Sequence, residues 1–241
     1  MAAPGPHASG GPGRRPPGGA VLPTQLALAL DHAESFARED FLAGPSNAAA
    51  LSLIDRWPDW PSRTVLLRGP EGAGKSHLAA IWAREAGART LSPRALGGSE
   101  VPMALATGAL VLDNLGEGGF DEAALFHLLN LAREERAYLL ITSRSAPAGW
   151  KIATPDLVSR LRALPVVALE APDDVLLRAV IVKLFADRQL AVDENLVGFL
   201  STRIERSFAA AQKAVRALDR EALRLQRPVT RALAGELFRE P

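Results

Sequence analysis

The sequence predicts an α/β fold: a five-stranded parallel sheet covered by helices, followed by a small all-helical domain. Three observations lead there. Residues 69–76 read Gly-Pro-Glu-Gly-Ala-Gly-Lys-Ser, with an apolar run before them and helical spacing after them. Over residues 47–170, short apolar strand-like runs alternate with helical stretches, the pattern of a parallel sheet with both faces covered. After Pro172 the alternation stops and only helical periodicity continues.

Strands are expected at 64–67, 89–91, 109–113, 138–142 and 166–169, and helices near 47–56, 75–86, 121–135 and 155–162. The 64–67 run leads straight into the glycines, and His77-Leu-Ala-Ala-Ile-Trp-Ala-Arg84 carries helical spacing out of them. Ala109-Leu-Val-Leu-Asp113 reads as a buried strand ending in an acid, and Tyr138-Leu-Leu-Ile-Thr-Ser143 as one ending in hydroxyls. Beyond Pro172, helices are expected near 173–188, 194–203, 206–226 and 229–239. Asp173 and Asp174 suit the start of the first, and Pro228-Val-Thr suits the last. In the third, Phe208, Ala211, Val215, Leu218, Ala222 and Leu225 step by three and four along one apolar stripe. The expected division is a Gly/Pro-rich tail over 1–20, a short peptide over 21–31, an α/β domain over 32–170 and a helical domain over 171–241.

Composition narrows the function. The 241 residues are 48% hydrophobic, enough for a sizeable core. With no cysteine there is no disulfide, thiolate zinc site or cysteine nucleophile. The four histidines, His7, His32, His77 and His127, lack metal-ligand spacing. A net charge of +1 gives no strong whole-chain field toward DNA or an anionic membrane. Six glycines and five prolines among residues 1–20 cannot bury apolar surface, so a disordered tail is expected there. No run of about 18 apolar residues is present, so no membrane span or membrane partner is expected. Arg14-Arg15 ahead of the apolar stretch 20–30 imitates an export signal, but Pro16, Pro17, Pro23 and Gln25 break it up and Asp31 ends it. A cytoplasmic location is therefore expected.

The 69–76 segment satisfies G-x-x-x-x-G-K-[ST] at every fixed position. Strand, glycine turn and helix start place a nest of backbone N–H groups at the positive end of a helix, which is an anion site. Lys75 would reach the β- and γ-phosphates of a nucleotide, and the Ser76 hydroxyl would bind Mg²⁺. A glycine-rich surface turn is the competing reading. Asp113 would hold the same Mg²⁺, often through water. Asn114 follows it, and an amide cannot take a proton from a water, so slow self-turnover is expected. Thr142 or Ser143 would bond the γ-phosphate or the attacking water, or else form an ordinary strand-end turn.

The order of these elements resembles the AAA+ proteins of the DnaA family, and in particular its short Hda-type members. Phosphate loop, strand-Asp113-Asn114, strand-Thr142-Ser143, Pro155-Asp-Leu-Val-Ser-Arg-Leu161 and a helical lid follow in the family's sequence, and the likeness covers about residues 22–240. Phe41-Leu-Ala-Gly-Pro-Ser-Asn47 resembles the box that contacts the nucleotide base region. Ser159-Arg160-Leu161 resembles the arginine-finger box, and Ile204-Glu-Arg206-Ser-Phe the lid segment with a second sensor arginine. Leu218-Asp-Arg220 also fits. The chain departs from the family at Arg144-Ser-Ala-Pro147, where Asp-Arg-Pro often follows the sensor strand, and at Asn114, where DnaA has an acid.

The resemblance implies an AAA+ P-loop NTPase fold with a helical lid, holding ADP or ATP with Mg²⁺ through Phe41, Leu42, Asn47, Gly69, Gly72, Ala73, Gly74, Lys75, Ser76, His77 and Arg206. Ser76 and Asp113 would be the metal ligands. Arg160, with Asp113 a catalytic candidate, would act in trans on ATP held by DnaA; a helix-end salt bridge is its plainer reading. Gln25-Leu-Ala-Leu-Ala-Leu30 resembles the peptide that docks proteins on the DNA polymerase sliding clamp (β subunit). Alternate leucines Leu26, Leu28 and Leu30 would enter apolar pockets, and the Gln25 amide would hydrogen-bond. The alternative is an edge strand or helix cap.

The sequence given ends at Pro241, soon after the expected lid, so no helix-turn-helix domain like that of DnaA is expected. The implied function is negative regulation of replication initiation, with DnaA and the clamp as partners, DNA contacted mostly through the clamp, and a homo-oligomer possible. The alternatives are a self-hydrolysing DnaA-like or helicase-loader ATPase and a direct DNA binder.

Overall fold

The computed structural model describes residues 36–116 and 119–238. The expected tail over 1–20 and the clamp peptide, with Gln25, Leu26, Leu28 and Leu30, lie outside the described residues. In chain order the elements are α1 (Ala48–Asp55), β1 (Thr64–Arg68), α2 (Lys75–Ala86), β2 (Arg89–Leu91), α3 (Val101–Ala104), β3 (Ala109–Leu112), α4 (Glu122–Glu134), β4 (Tyr138–Ser143), α5 (Pro155–Arg162) and β5 (Val166–Ala168). Four further helices follow: α6 (Asp174–Ala186), α7 (Glu194–Arg203), α8 (Phe208–Leu225) and α9 (Arg231–Leu237).

The sheet runs β2-β3-β4-β1-β5 and every pair is parallel. Side chains alternate across a strand, so each strand feeds both faces. Leu66, Leu110, Leu112, Leu139 and Ile141 point to the side covered by α3, α4 and α5. Val65, Leu67, Ala109, Val111 and Leu140 point to the side covered by α1 and α2. Burial on both faces explains why these strands read as continuous apolar runs.

The helices after β5 have their own core. Leu177, Ile181 and Phe185 of α6 meet Leu196 and Leu200 of α7, Val215 and Leu218 of α8, and Leu233 of α9. Each of these helices is capped by a side chain: Asp173, Asp193, Ser207 and Thr230 accept from Leu176, Leu196, Ala210 and Leu233 N–H. Such caps contribute about 1 kcal/mol each. Among the described residues, no helix is long and apolar enough to cross a membrane.

Register brings the site together. β1 and β4 pair Leu67 with Thr142 and Arg68 with Ser143, while β3 and β4 pair Leu112 with Ile141. The residues just beyond β1 and β3 therefore flank the end of β4, at the carboxyl edge where parallel sheets bind ligands.

Candidate nucleotide-binding site

The chain turns immediately after β1. A Cβ on Gly69 would fall 2.6 Å from the Leu169 carbonyl oxygen beyond β5, so only glycine lets these two strand ends lie so close. Gly72 and Gly74 take φ of 69° and 95°, in the left-handed region that glycine enters freely. Gly74 is the N-cap of α2, and Lys75 and Ser76 are its first residues. Loop amides and the positive helix end thus face the same place.

Lys75 is only 5% exposed, and its ammonium donates to the carbonyl oxygens of Gly69 (2.7 Å) and Pro70 (2.8 Å). The Ser76 hydroxyl donates to the Asp113 carboxylate, 3.1 Å to Oδ2 and 3.3 Å to Oδ1. Buried Thr142 completes the set from β4. Its hydroxyl donates to Asp113 Oδ1 and accepts from the Asn114 N–H at 2.8 Å. Ser143 faces elsewhere and donates to the Ser145 carbonyl oxygen at 2.8 Å. Of the two candidate hydroxyls, Thr142 is the one at the acid. Asn114 is exposed, with φ of 64°, a conformation asparagine tolerates better than most residues.

Mg²⁺ prefers hard oxygen ligands and commonly uses one or two protein groups plus phosphates and waters. Ser76 Oγ and the Asp113 carboxylate fit that pattern. Among the described residues there is no cluster of three or more metal-ligating side chains that would make an all-protein cage.

The leading segment lies against α2. Asn47 is 1% exposed, and its amide is used on the loop itself: Oδ1 accepts from Gly44 N–H (2.9 Å) and Nδ2 donates to the Leu42 carbonyl (3.0 Å). It sets the shape of loop 41–47. His77 packs edge-on against Phe36 and Phe41, at 5.3 and 5.2 Å between centroids, with Nε2 3.2 Å from the Ala37 carbonyl oxygen. A Cβ on Gly74 would lie 3.1 Å from the Phe41 ring and 3.4 Å from that of Phe208, while Ala73 is buried beside it.

Phe208 belongs to the helical region, and the loop carries the start of α8. The Phe208 N–H donates to the Gly72 carbonyl oxygen at 2.8 Å, and a Cβ on Gly72 would meet Ser207 Cβ at 2.8 Å. Two other contacts join the helical region to the leading segment. Leu176 presses on Gly44, and Lys183 pairs with Asp40 at 2.7 Å. Arg206 pairs with Asp174 at 2.8 Å, both well exposed.

Arg160 sits in the last turn of α5, which runs from the carboxyl end of β4 to the amino end of β5. It is therefore at the far end of the sheet from its own phosphate loop. Its guanidinium donates to Asn130 Oδ1 and lies 4.6 Å from the Phe126 ring centroid, both on α4. Glu122 of α4 holds the start of α5, accepting from Ala153 N–H, Thr154 N–H and the Thr154 hydroxyl at 2.9, 2.9 and 2.7 Å. These bonds, the Thr154 hydroxyl first, hold the Glu122 carboxyl below its ordinary 4.5.

Sequence reasoning missed the packing of Ser207 and Phe208 on the loop and the Phe126–Asn130 seat of Arg160. A signal for the first was present: Phe208 opens the α8 stripe directly after a serine able to cap a helix.

No protein-family model and no curated protein matches the sequence. Solved structures do match in shape. A replication initiator DnaA bound to AMPPCP and single-stranded DNA is 16% identical with a TM-score of 0.66, over 79% of this chain and 68% of that one. Domain III of the Thermotoga maritima replication initiation protein DnaA is 19% identical with a TM-score of 0.69, over 86% and 98%. A Thermotoga maritima RuvB is 15% identical with a TM-score of 0.66, over 84% and 70%. The chain thus has the AAA+ P-loop NTPase fold, a five-stranded parallel sheet followed by a helical region.

Proposed function

We propose that the chain binds ADP or ATP with Mg²⁺ at residues 69–76 and acts as an Hda-like negative regulator of replication initiation. The nucleotide would lie between the loop and the start of α8, with Lys75 and the loop amides on phosphates, Ser76 and Asp113 toward Mg²⁺, and Arg206 approaching from the helical side. The likeness to an AMPPCP-bound DnaA supports the nucleotide, and the sequence resemblance supports the regulatory role.

The observation that carries the regulatory reading is Arg160 at the opposite end of the sheet from its own phosphate loop, seated on Phe126 and Asn130. So placed, the guanidinium is out of reach of the chain's own nucleotide, which supports service to another subunit's over service to its own. Its planar fork suits two phosphate oxygens at once. Docking on the sliding clamp through Gln25, Leu26, Leu28 and Leu30 would bring it to DnaA in the cytoplasm, with DNA reached through the clamp.

The test is turnover of DnaA-bound ATP in the presence of clamp loaded on DNA. Wild type should stimulate it. Arg160→Ala should lose on the order of 10³-fold if the finger supplies its usual share. Changing Gln25, Leu26 and Leu28 together to Ala should abolish the clamp contact and spare ADP binding. Stimulation by Arg160→Ala equal to wild type would place the finger elsewhere. The second reading, a DnaA-like or helicase-loader ATPase with its own turnover, is favoured by the complete Ser76–Asp113–Thr142 set. Rapid ATP turnover by the purified chain alone would support it over the regulator.

A further inference from the structure

Sharing no residue with the phosphate loop, α6, α7 and α9 line an open cleft of about 610 Å³. Arg178, Arg203 and Arg231 line it from these three helices, with Glu194 as the opposing charge. In a chain of net charge +1, three guanidiniums against one carboxylate is a local concentration of positive charge. None of the three arginines forms an ion pair among the described residues.

An aromatic ring organises two of them. The Arg203 and Arg231 guanidiniums lie 4.8 and 5.5 Å from the Phe199 centroid, within cation–π range. A guanidinium held by a ring keeps N–H groups for an outside acceptor and offers a flat cationic surface for stacking. Gly198 lies in the interior of α7, where glycine costs about 1 kcal/mol relative to alanine. A Cβ there would meet only Arg178 Nη1, at 4.0 Å, so no packing demand inside the protein calls for glycine. Its absent side chain keeps the cleft open.

We propose that this cleft binds single-stranded nucleic acid, with the arginines on phosphates and the Phe199–arginine surface under an unstacked base. Cations interleaved with an aromatic ring are what a single strand uses, phosphate by charge and base by stacking. The Phe199–arginine surface needs a base free to stack on it, and a duplex keeps its bases stacked on one another. An acidic peptide would satisfy the charges and leave the stacking surface unused. The site is independent of the regulatory reading above.

The test is fluorescence anisotropy with a labelled oligothymidylate of about 12 nucleotides, within the usual span of a single-strand site. Wild type should bind. Arg203→Ala with Arg231→Ala should weaken binding at least tenfold and lower the slope of log K against log salt by about 1.4, at about 0.7 per phosphate contact. Phe199→Leu should weaken binding with the salt slope unchanged. Gly198→Glu, which puts a carboxylate into the cleft from a position with room for it, should abolish binding. ADP-induced stabilisation should persist in every variant and so report an intact fold. Unchanged affinity in the double variant and in Gly198→Glu would overturn the proposal. So would tighter binding of a duplex, equal displacement by poly-glutamate at matched charge, or no binding by wild type.

Discussion

The Thr142 hydroxyl donates to the Asp113 carboxylate from a neighbouring strand, across 29 residues of sequence, and accepts the Asn114 N–H in return. The acid proposed to face Mg²⁺ is thereby fixed in rotamer by the strand between it and the phosphate loop. Thr142→Val keeps the shape and removes both bonds. It leaves Asp113 Oδ1 with the Ser76 hydroxyl alone and the Asn114 N–H without its partner, so a loss of about 1 kcal/mol in stability is expected. The larger effect should fall on the Mg²⁺-dependent part of ADP affinity, measured by calorimetry with and without the metal. ADP–Mg²⁺ affinity equal to wild type would show that Thr142 does not position the acid.

Gly72 joins the phosphate loop to the helical region, and two glycines separate its two constraints. Gly72 and Gly87 both have left-handed φ, 69° and 62°, but a Cβ on Gly72 would strike Ser207 whereas nothing lies within 4 Å at Gly87. Gly87→Ala should cost only the backbone penalty of about 1–2 kcal/mol. Gly72→Ala should cost more and displace the start of α8, lowering the ADP-induced rise in melting temperature as well. Equal melting temperatures for the two variants would mean that the contact with Ser207 yields freely.

What could be read from the sequence was what is local. The phosphate loop is eight consecutive residues, and the central strands β1, β3 and β4 announced themselves as apolar runs because both sheet faces are covered there, whereas β2, Arg89-Thr-Leu91, lies largely exposed at the edge. The α8 stripe named Ala211, Val215, Leu218 and Ala222, all buried together. Strand order and register are non-local, so the meeting of Thr142 with Asp113 could not be read. The stripe also put Phe208 with the core, yet its ring lies by Gly74. At the first turn of a helix, a side chain can leave the common face for whatever the preceding loop touches. The resemblance assigns Asn47 to the nucleotide base region; its bonds to Leu42 and Gly44, which shape loop 41–47, depend on a fold of the loop that the sequence does not spell out. The short α3 lacked the length to show a period.

Glu122 makes stability depend on acidity. Its folded carboxyl is held below 4.5 by the bonds from Thr154 and Ala153. A depressed folded value adds stability above the unfolded value, and that stability is lost as pH falls through the folded one. Glu122→Gln should therefore melt below wild type at neutral pH, with the gap closing as pH drops below about 4.5. A gap that persists unchanged at pH 3 would indicate that the charge on Glu122 is not what holds the start of α5.

Binding of Mg²⁺–nucleotide by residues 69–76 underlies both readings of the function, and calorimetric titration of ADP–Mg²⁺ into the chain tests it most directly. Wild type should bind one equivalent, and melting should rise by the equivalent of about 2.7 kcal/mol at a hundredfold excess over Kd. Lys75→Ala should remove most of both effects while leaving the unliganded fold intact. Absence of binding by wild type, or binding by Lys75→Ala at wild-type affinity, would contradict the assignment of the loop.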